Sequence, residues 1–231
     1  MAGRGKFFEL LDFVKFALPN VLSLDASRTA SNLAERTGGG GFMSYGQMWP
    51  RLDVLVRGLA TDTFIESEFS AYTDDWKNKS IRAAYRLLRE HLGGRGAWYP
   101  GPKAPTYVLG FWFKPSIKGI WFHEGRAYAV LINPRKGQPL SRNDVRFLAR
   151  GVYELHCIND PNNPVPLVVD LSKHDEDQER KARIYEVPPD EAVSLEVFEY
   201  SVREFLVALS WAGISLPPPP EIAHVLDLFR R

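Results

Sequence analysis

The sequence predicts an α+β fold, with a helical N-terminal part followed by a mostly antiparallel sheet of about five strands covered by helices. Apolar residues recur at helical spacing through much of the first 92 residues, whereas short aromatic and β-branched runs separated by turns follow residue 105. A Gly/Pro-rich joint, GGRGAWYPGPKAP, lies between the two patterns. We therefore expect a helical region over residues 1–95 and an α+β domain over residues 96–231, which together could form one continuous domain.

Four helices are predicted before the joint, over residues 6–18, 27–37, 44–59 and 78–92. Pro19 ends the first because proline cannot continue a helix, and the glycines from Gly38 to Gly41 end the second. Pro50 interrupts the third helix near its start. The acidic stretch at 62–76 fits neither a helix nor a strand pattern clearly.

Five strands are predicted after the joint, over residues 106–113, 119–123, 126–132, 165–171 and 182–187. Glu124 and Gly125 join the second and third strands, which favours a hairpin. Ser141 followed by Asp144 is typical of a capping box, so we expect a helix from there to about residue 157. Two more helices are predicted, over residues 194–211 and 221–229.

Composition excludes several classes of protein. The chain has 231 residues, of which 45% are hydrophobic and 25% charged, as in ordinary globular proteins and unlike disordered or collagen-like chains. Its single cysteine, Cys157, cannot form an internal disulfide, so we expect a cytoplasmic protein. No apolar run approaches the ~20 residues of a membrane span, so no membrane association is expected.

Charge is distributed unevenly along the chain. Residues 77–150 carry 15 basic and 3 acidic side chains, a net charge of +12, although the whole chain carries only +1. The residues before this segment have a net charge of −3 and those after it −8. Because an approaching anion meets the local field rather than the total charge, the middle segment predicts an anionic partner.

Two predicted helices carry basic stripes. In the first, four basic residues at steps of three, four and three share one helix face, and in the second, three arginines follow at steps of four. A guanidinium group donates two hydrogen bonds to phosphate and stays charged. We therefore predict a non-enzymatic nucleic-acid-associated protein, a subunit of a nucleoprotein assembly, that binds the phosphate backbone of DNA or RNA. The predicted binding residues are Lys79, Arg82, Arg86, Arg89, Arg135, Lys136, Arg142, Arg146 and Arg150.

A protein–protein interaction module without nucleic acid is the first alternative. In it, the arginine stripes would meet acidic helices of a partner protein or of the chain's own C-terminal third. Glu196, Glu199 and Glu204 would then pair with those arginines.

A metal-dependent nuclease is the second alternative. The order helix, three strands, helix and strand over residues 78–170 resembles the core of restriction-endonuclease-like nucleases. Such enzymes hold a divalent metal through an acidic residue on the second strand and a Glu-x-Lys pair on the third. Here the third strand, AYAVLINPRK, has no carboxylate, and Asp170 and Lys173 are the nearest substitutes. The site of this core is therefore degenerate, and we expect no catalytic residue, metal or cofactor.

Residues 27–57 resemble a helix-turn-helix, with SRTASNLAERT as the first helix and a glycine turn before the second. The turn is longer than usual, and Pro50 lies where a recognition helix would be continuous. Both departures weaken the match, so we prefer a plain layer of packed helices over these residues.

Overall fold

A computed structural model describes residues 7–37, 45–70, 75–135, 137, 139–172 and 180–219, and every structural statement below refers to them. The α-helices are α1 (Leu10–Phe16), α2 (Ala26–Thr37), α3 (Leu52–Val56), α4 (Asp62–Glu68), α5 (Asp75–Leu92), α6 (Arg142–Val152) and α7 (Leu195–Trp211). A 3-10 helix, Gly46–Arg51, precedes α3, and a π-helical turn, Tyr153–Cys157, extends α6. The strands are β1 (Ala97–Pro100), β2 (Thr106–Val108), β3 (Phe111–Phe113), β4 (Gly119–His123), β5 (Arg126–Asn133), β6 (Val165–Asp170) and β7 (Arg183–Glu186).

The main sheet has five strands in the order β1-β4-β5-β6-β7. Neighbouring strands are antiparallel except β5 and β6, which run parallel because α6 lies between them in sequence and carries the chain back across the sheet. The predicted α+β class, with a helical N-terminal part and a mostly antiparallel five-stranded sheet, is confirmed. The predicted β4–β5 hairpin is also confirmed.

The first strand of this sheet is not the predicted one. Residues 106–113 fold back on themselves as the separate β2–β3 hairpin, because the chain turns at Leu109 and Gly110, both at positive φ (54° and 77°). β1, from the predicted joint, takes the sheet edge beside β4 instead. Gly96 makes this possible, since its φ is +78° and a Cβ there would lie 1.8 Å from the carbonyl oxygen of Phe122.

The sheet separates two hydrophobic clusters. Alternation along β5 sends Ala129 and Leu131 to one face and Val130 and Ile132 to the other. The α6-side cluster contains residues from α1, α2, α6, α7 and the β2–β3 hairpin. The α5-side cluster contains residues from the 3-10 helix, α3, α4, α5 and β1. Helices that precede residue 95 therefore contribute to both faces of the sheet.

The helix-turn-helix alternative over residues 27–57 is wrong, because its two helices lie on opposite faces of the sheet. α2 packs against α7 in the α6-side cluster, whereas α3 lies in the α5-side cluster, across the sheet. The predicted closing helix at 221–229 lies outside the described residues.

The predicted capping box of α6 is confirmed. The Ser141 hydroxyl accepts a hydrogen bond from the backbone N–H of Asp144, whose carboxylate accepts one from the backbone N–H of Ser141 in return. α6 crosses α1 and α7 closely at Gly151, where a Cβ would lie 2.6 Å from Leu10 and 3.0 Å from Phe198.

Candidate functional site

The basic stripe of α5 faces the acidic helix α4. Arg82 lies 2.9 Å from the Glu66 carboxylate, and Arg86 contacts the other oxygen of Glu66. Asp62 lies 3.5 Å from Arg86 and 3.1 Å from Arg89. The predicted phosphate-binding guanidinium groups of this helix are therefore paired with carboxylates of the chain's own preceding helix.

Backbone carbonyls take up part of the remaining hydrogen-bonding capacity of this stripe. Arg82 donates to the carbonyl of Glu66 and Arg89 to that of Ala60, each at 3.1 Å. Lys79 lies 2.6 Å from Asp75 one turn away on α5, with both side chains more than two-thirds exposed. An exposed ion pair of this kind contributes little to the stability of the fold.

The stripe of α6 holds the segment that joins β7 to α7. Arg146 donates to the carbonyl of Glu191 at 2.9 Å, and Arg150 donates to that of Val193 at 2.7 Å. Arg150 also pairs with Glu154 at 3.1 Å. Arg142 is exposed, and none of the described residues forms an ion pair with it.

The other two predicted binding residues, Arg135 and Lys136, follow β5 in the sequence. Arg135 lies 2.9 Å from the Asp12 carboxylate and donates to the carbonyl of Leu11 at 3.1 Å, so it fastens α1 to the end of the sheet. Lys136 lies outside the described residues.

The structure does not bring the two arginine stripes together. α5 packs on the face of the sheet that carries Val130, whereas α6 packs on the face that carries Ala129. The stripes therefore cannot line a single groove. The carboxylates that meet them also differ from those of the protein-interaction alternative, because they come from α4, α5 and the π-helical turn rather than from Glu196, Glu199 and Glu204.

Asp170, the nearest substitute for the acidic residue that the nuclease alternative would need, is fully buried. One carboxylate oxygen accepts hydrogen bonds from the Asn133 amide and the Ser172 backbone N–H, and the other from the Leu140 N–H and the Ser172 hydroxyl. These four donors hold the ends of β5 and β6 against the start of α6. Lys173 lies outside the described residues, and within the described ranges no three His, Cys, Asp or Glu side chains could together hold a metal ion.

Sequence reasoning missed a groove of about 790 Å³ between α6 and β7. Val145, Tyr185 and Val187 supply apolar lining, while Arg142 and Arg146 line the α6 side. Glu186 and Glu191 also line the groove, so it carries both signs of charge. The groove lies beside β7 at the edge of the sheet. It could not be found from the sequence because the residues of β7 do not indicate that this strand is an edge strand.

The edge of β7 leaves backbone groups unpaired. The Val187 N–H donates to the carbonyl of Pro166 on β6 at 3.1 Å. In an antiparallel ladder such pairs alternate, so Ile184 and Glu186 direct their N–H and C=O groups away from β6. Both residues are exposed, and no described strand lies beyond them. The edge can therefore accept another strand.

Comparisons with known proteins identify no family. No protein-family model matches the chain, and no curated protein matches it. A crystal structure of a candidate exonuclease from Eubacterium rectale is similar over 97% of this chain and 88% of that chain, with 11% sequence identity and a TM-score of 0.43. A likeness at this level assigns neither a fold nor a function. Separately, none of the helices in the described ranges has the length and apolar character needed to cross a membrane.

Proposed function

We propose that this chain is a non-enzymatic protein-interaction module that binds an extended segment of a partner protein along β7. The observation that carries the proposal is the groove between α6 and the unpaired edge of β7. A segment that adds to a sheet edge gains affinity from main-chain hydrogen bonds and specificity from pockets for alternate side chains. Ile184 and Glu186 offer outward main-chain groups for such hydrogen bonds, and the groove beside them offers space for side chains of the segment.

Charge suggests the chemistry of that segment. Arg142 is exposed at the groove without an ion-pair partner among the described residues, so an acidic side chain of the partner would complement it. The apolar lining of Val145 and Tyr185 suits a β-branched residue at the neighbouring inward position. We therefore expect a segment in which acidic and β-branched residues alternate.

The pairing of the other basic residues supports a protein partner over a polyanion. The arginines of α5 are neutralised by Asp62 and Glu66, and binding phosphate there would first require breaking those pairs. Nucleic-acid binding through the predicted residues remains a prediction that the experiment below also tests. A cytoplasmic location is still expected, since Cys157 is a buried free thiol.

Fluorescence anisotropy with a labelled peptide of alternating valine and glutamate tests the proposal. Ile184→Pro removes an outward N–H but leaves the bonds between β6 and β7, so we expect at least about a tenfold loss of affinity. Ile184→Val keeps the N–H and should bind as the original chain does. Arg142→Glu should favour a valine–lysine peptide instead.

The second half of the experiment replaces the peptide by labelled single- and double-stranded oligonucleotides over a salt series. Binding that weakens steeply with salt and is lost when Arg82, Arg86 and Arg89 are changed to Ala would support the nucleic-acid prediction. If the peptide then fails to bind, or binds Ile184→Pro equally well, the interaction proposal is overturned.

A further inference from the structure

A second concave surface lies at the other end of α6. It is a cleft of about 430 Å³ between the π-helical turn and the segment that follows β1. Residues 100–102 and Thr106 form one wall, and Leu155, His156 and residues 158–161 form the other. Ile117 and Ile120 add apolar surface. Its volume lies within the range of small-molecule sites in proteins.

The helix changes its winding at this cleft. The N–H of Ile158 donates to the carbonyl of Tyr153, five residues back, at 3.0 Å, which is a π-helical bond. Single π-helical turns inside α-helices occur frequently at functional sites. Here the turn places Cys157 in the core, whereas His156 and the half-exposed Ile158 line the cleft.

His156 has an unsatisfied polar atom. Its Nε2 is buried, and none of the residues that the structure describes forms a hydrogen bond with it. Burial lowers the pKa of this imidazole to about 4, so the ring is neutral at pH 7. A buried polar atom without a partner is unfavourable, and a ligand that supplied the missing hydrogen bond would relieve that cost.

The charge of the cleft restricts the ligand. Asp160 is the one charged side chain among the described lining residues, so phosphates and carboxylates find no cation there. Ile117, Ile120 and Leu155 favour an apolar body. A hydroxyl group both donates and accepts, so it can pair with Nε2 in either neutral tautomer of the imidazole.

We infer that this cleft binds a small neutral apolar molecule whose single hydroxyl group meets Nε2 of His156. Because Nε2 itself has no exposed surface, binding requires His156, which lines the cleft, to turn its Nε2 edge toward the ligand. This site is separate from the β7 edge and does not depend on the proposed interaction function.

Phenol and toluene are suitable probes because they have nearly the same shape and differ in the hydroxyl group. NMR of the full chain, with the imidazole nitrogens observed, should show a saturable shift of the His156 signals with phenol. Phenol should bind at least about tenfold more tightly than toluene, as expected when one buried hydrogen bond is at stake. His156→Phe should abolish that preference while both probes still bind.

Ile158→Trp provides a second variant that leaves His156 in place and fills the mouth of the cleft. It should prevent phenol binding, whereas Leu59→Trp, at a similarly exposed site on another surface, should not. Equal binding of the two probes, an unchanged His156 signal, or full phenol binding by Ile158→Trp would each overturn the inference.

Discussion

At the scale of single residues, Asp170 shows how one buried carboxyl group can hold several segments of the fold together. Among the residues that the structure describes, Asn133, Leu140 and Ser172, on three different segments, donate hydrogen bonds to its carboxylate. Asp170→Asn would turn an amide donor toward these donors, so we expect a loss of about 2 to 4 kcal/mol in the free energy of unfolding. Urea denaturation of the original chain and the variant measures this difference in the free energy of unfolding. Asp190→Asn at an exposed position is the control, and an equally small effect at both positions would contradict this role.

His156 predicts a pH dependence of stability. The folded chain holds the pKa of His156 at about 4, whereas an unfolded histidine titrates near 6.5. Between these values only the unfolded state gains a proton, so the free energy of unfolding falls as the pH is lowered from about 6.5 to about 4. From pH 7 to pH 5 this group should account for roughly 2 kcal/mol. Denaturation of the original chain and of His156→Phe at both pH values isolates the contribution of this histidine. The free energy of unfolding of the variant should fall less between pH 7 and pH 5, by the amount that His156 contributes.

At the scale of elements, α4 and α5 are joined by a ladder of ion pairs along one contact. Arg82 is 17% exposed in its side chain, so its pair with Glu66 is less screened than an ordinary surface pair. A double-mutant cycle with Arg82→Met and Glu66→Gln should give a coupling energy of about 1 kcal/mol that decreases with added salt. The exposed pair of Arg57 and Asp53 serves as the control, with an expected coupling nearer 0.3 kcal/mol. Equal couplings would indicate that burial does not strengthen the ladder.

The sequence predicted where individual helices and strands lie better than it predicted which of them pack or pair with each other. The apolar spacing of α7 and the capping box of α6 are local, and both elements lie where those patterns predicted. The place of 97–100 at a sheet edge depends on Gly96 and on pairing with β4, and composition made that segment look like a linker. The stripes of α5 and α6 were recognised, but a helical period does not say which face of a sheet a helix covers. The partners Asp62 and Glu66 lay in the one stretch whose pattern was ambiguous.

Gly151 predicts a conflict between local and tertiary preferences within α6. Alanine in place of a helical glycine adds about 1 kcal/mol of helix propensity. At this position its Cβ would meet the buried side chains of Leu10 and Phe198, so we expect a net loss of about 1 to 2 kcal/mol. Ser210→Ala, an exposed position on α7, should be neutral or slightly stabilising. Thermal denaturation compares the two, and a stabilised Gly151→Ala would show that the crossing of α1, α6 and α7 is loose.

At the scale of the whole molecule, the five-stranded sheet contributes side chains to two hydrophobic clusters, one on each face. The helices before residue 95 are divided between its faces, with α1 and α2 on the α6 side and α3, α4 and α5 on the other. β5 is buried over seven of its eight residues and contributes to both clusters. Removing the first 95 residues would uncover both faces, so the predicted boundary at residue 95 separates parts that depend on each other for burial.

Cooperative unfolding follows from this arrangement. Leu88→Ala on the α5 side and Phe147→Ala on the α6 side each remove a fully buried side chain, and each should cost about 3 kcal/mol. Because the clusters share a sheet, both variants should lower the midpoint of one common transition, seen alike by tryptophan fluorescence and far-ultraviolet circular dichroism. A fragment of residues 96–231 should lack a cooperative transition. Two separate transitions, each moved by one variant only, or a cooperatively folded fragment, would instead show that the two regions fold independently.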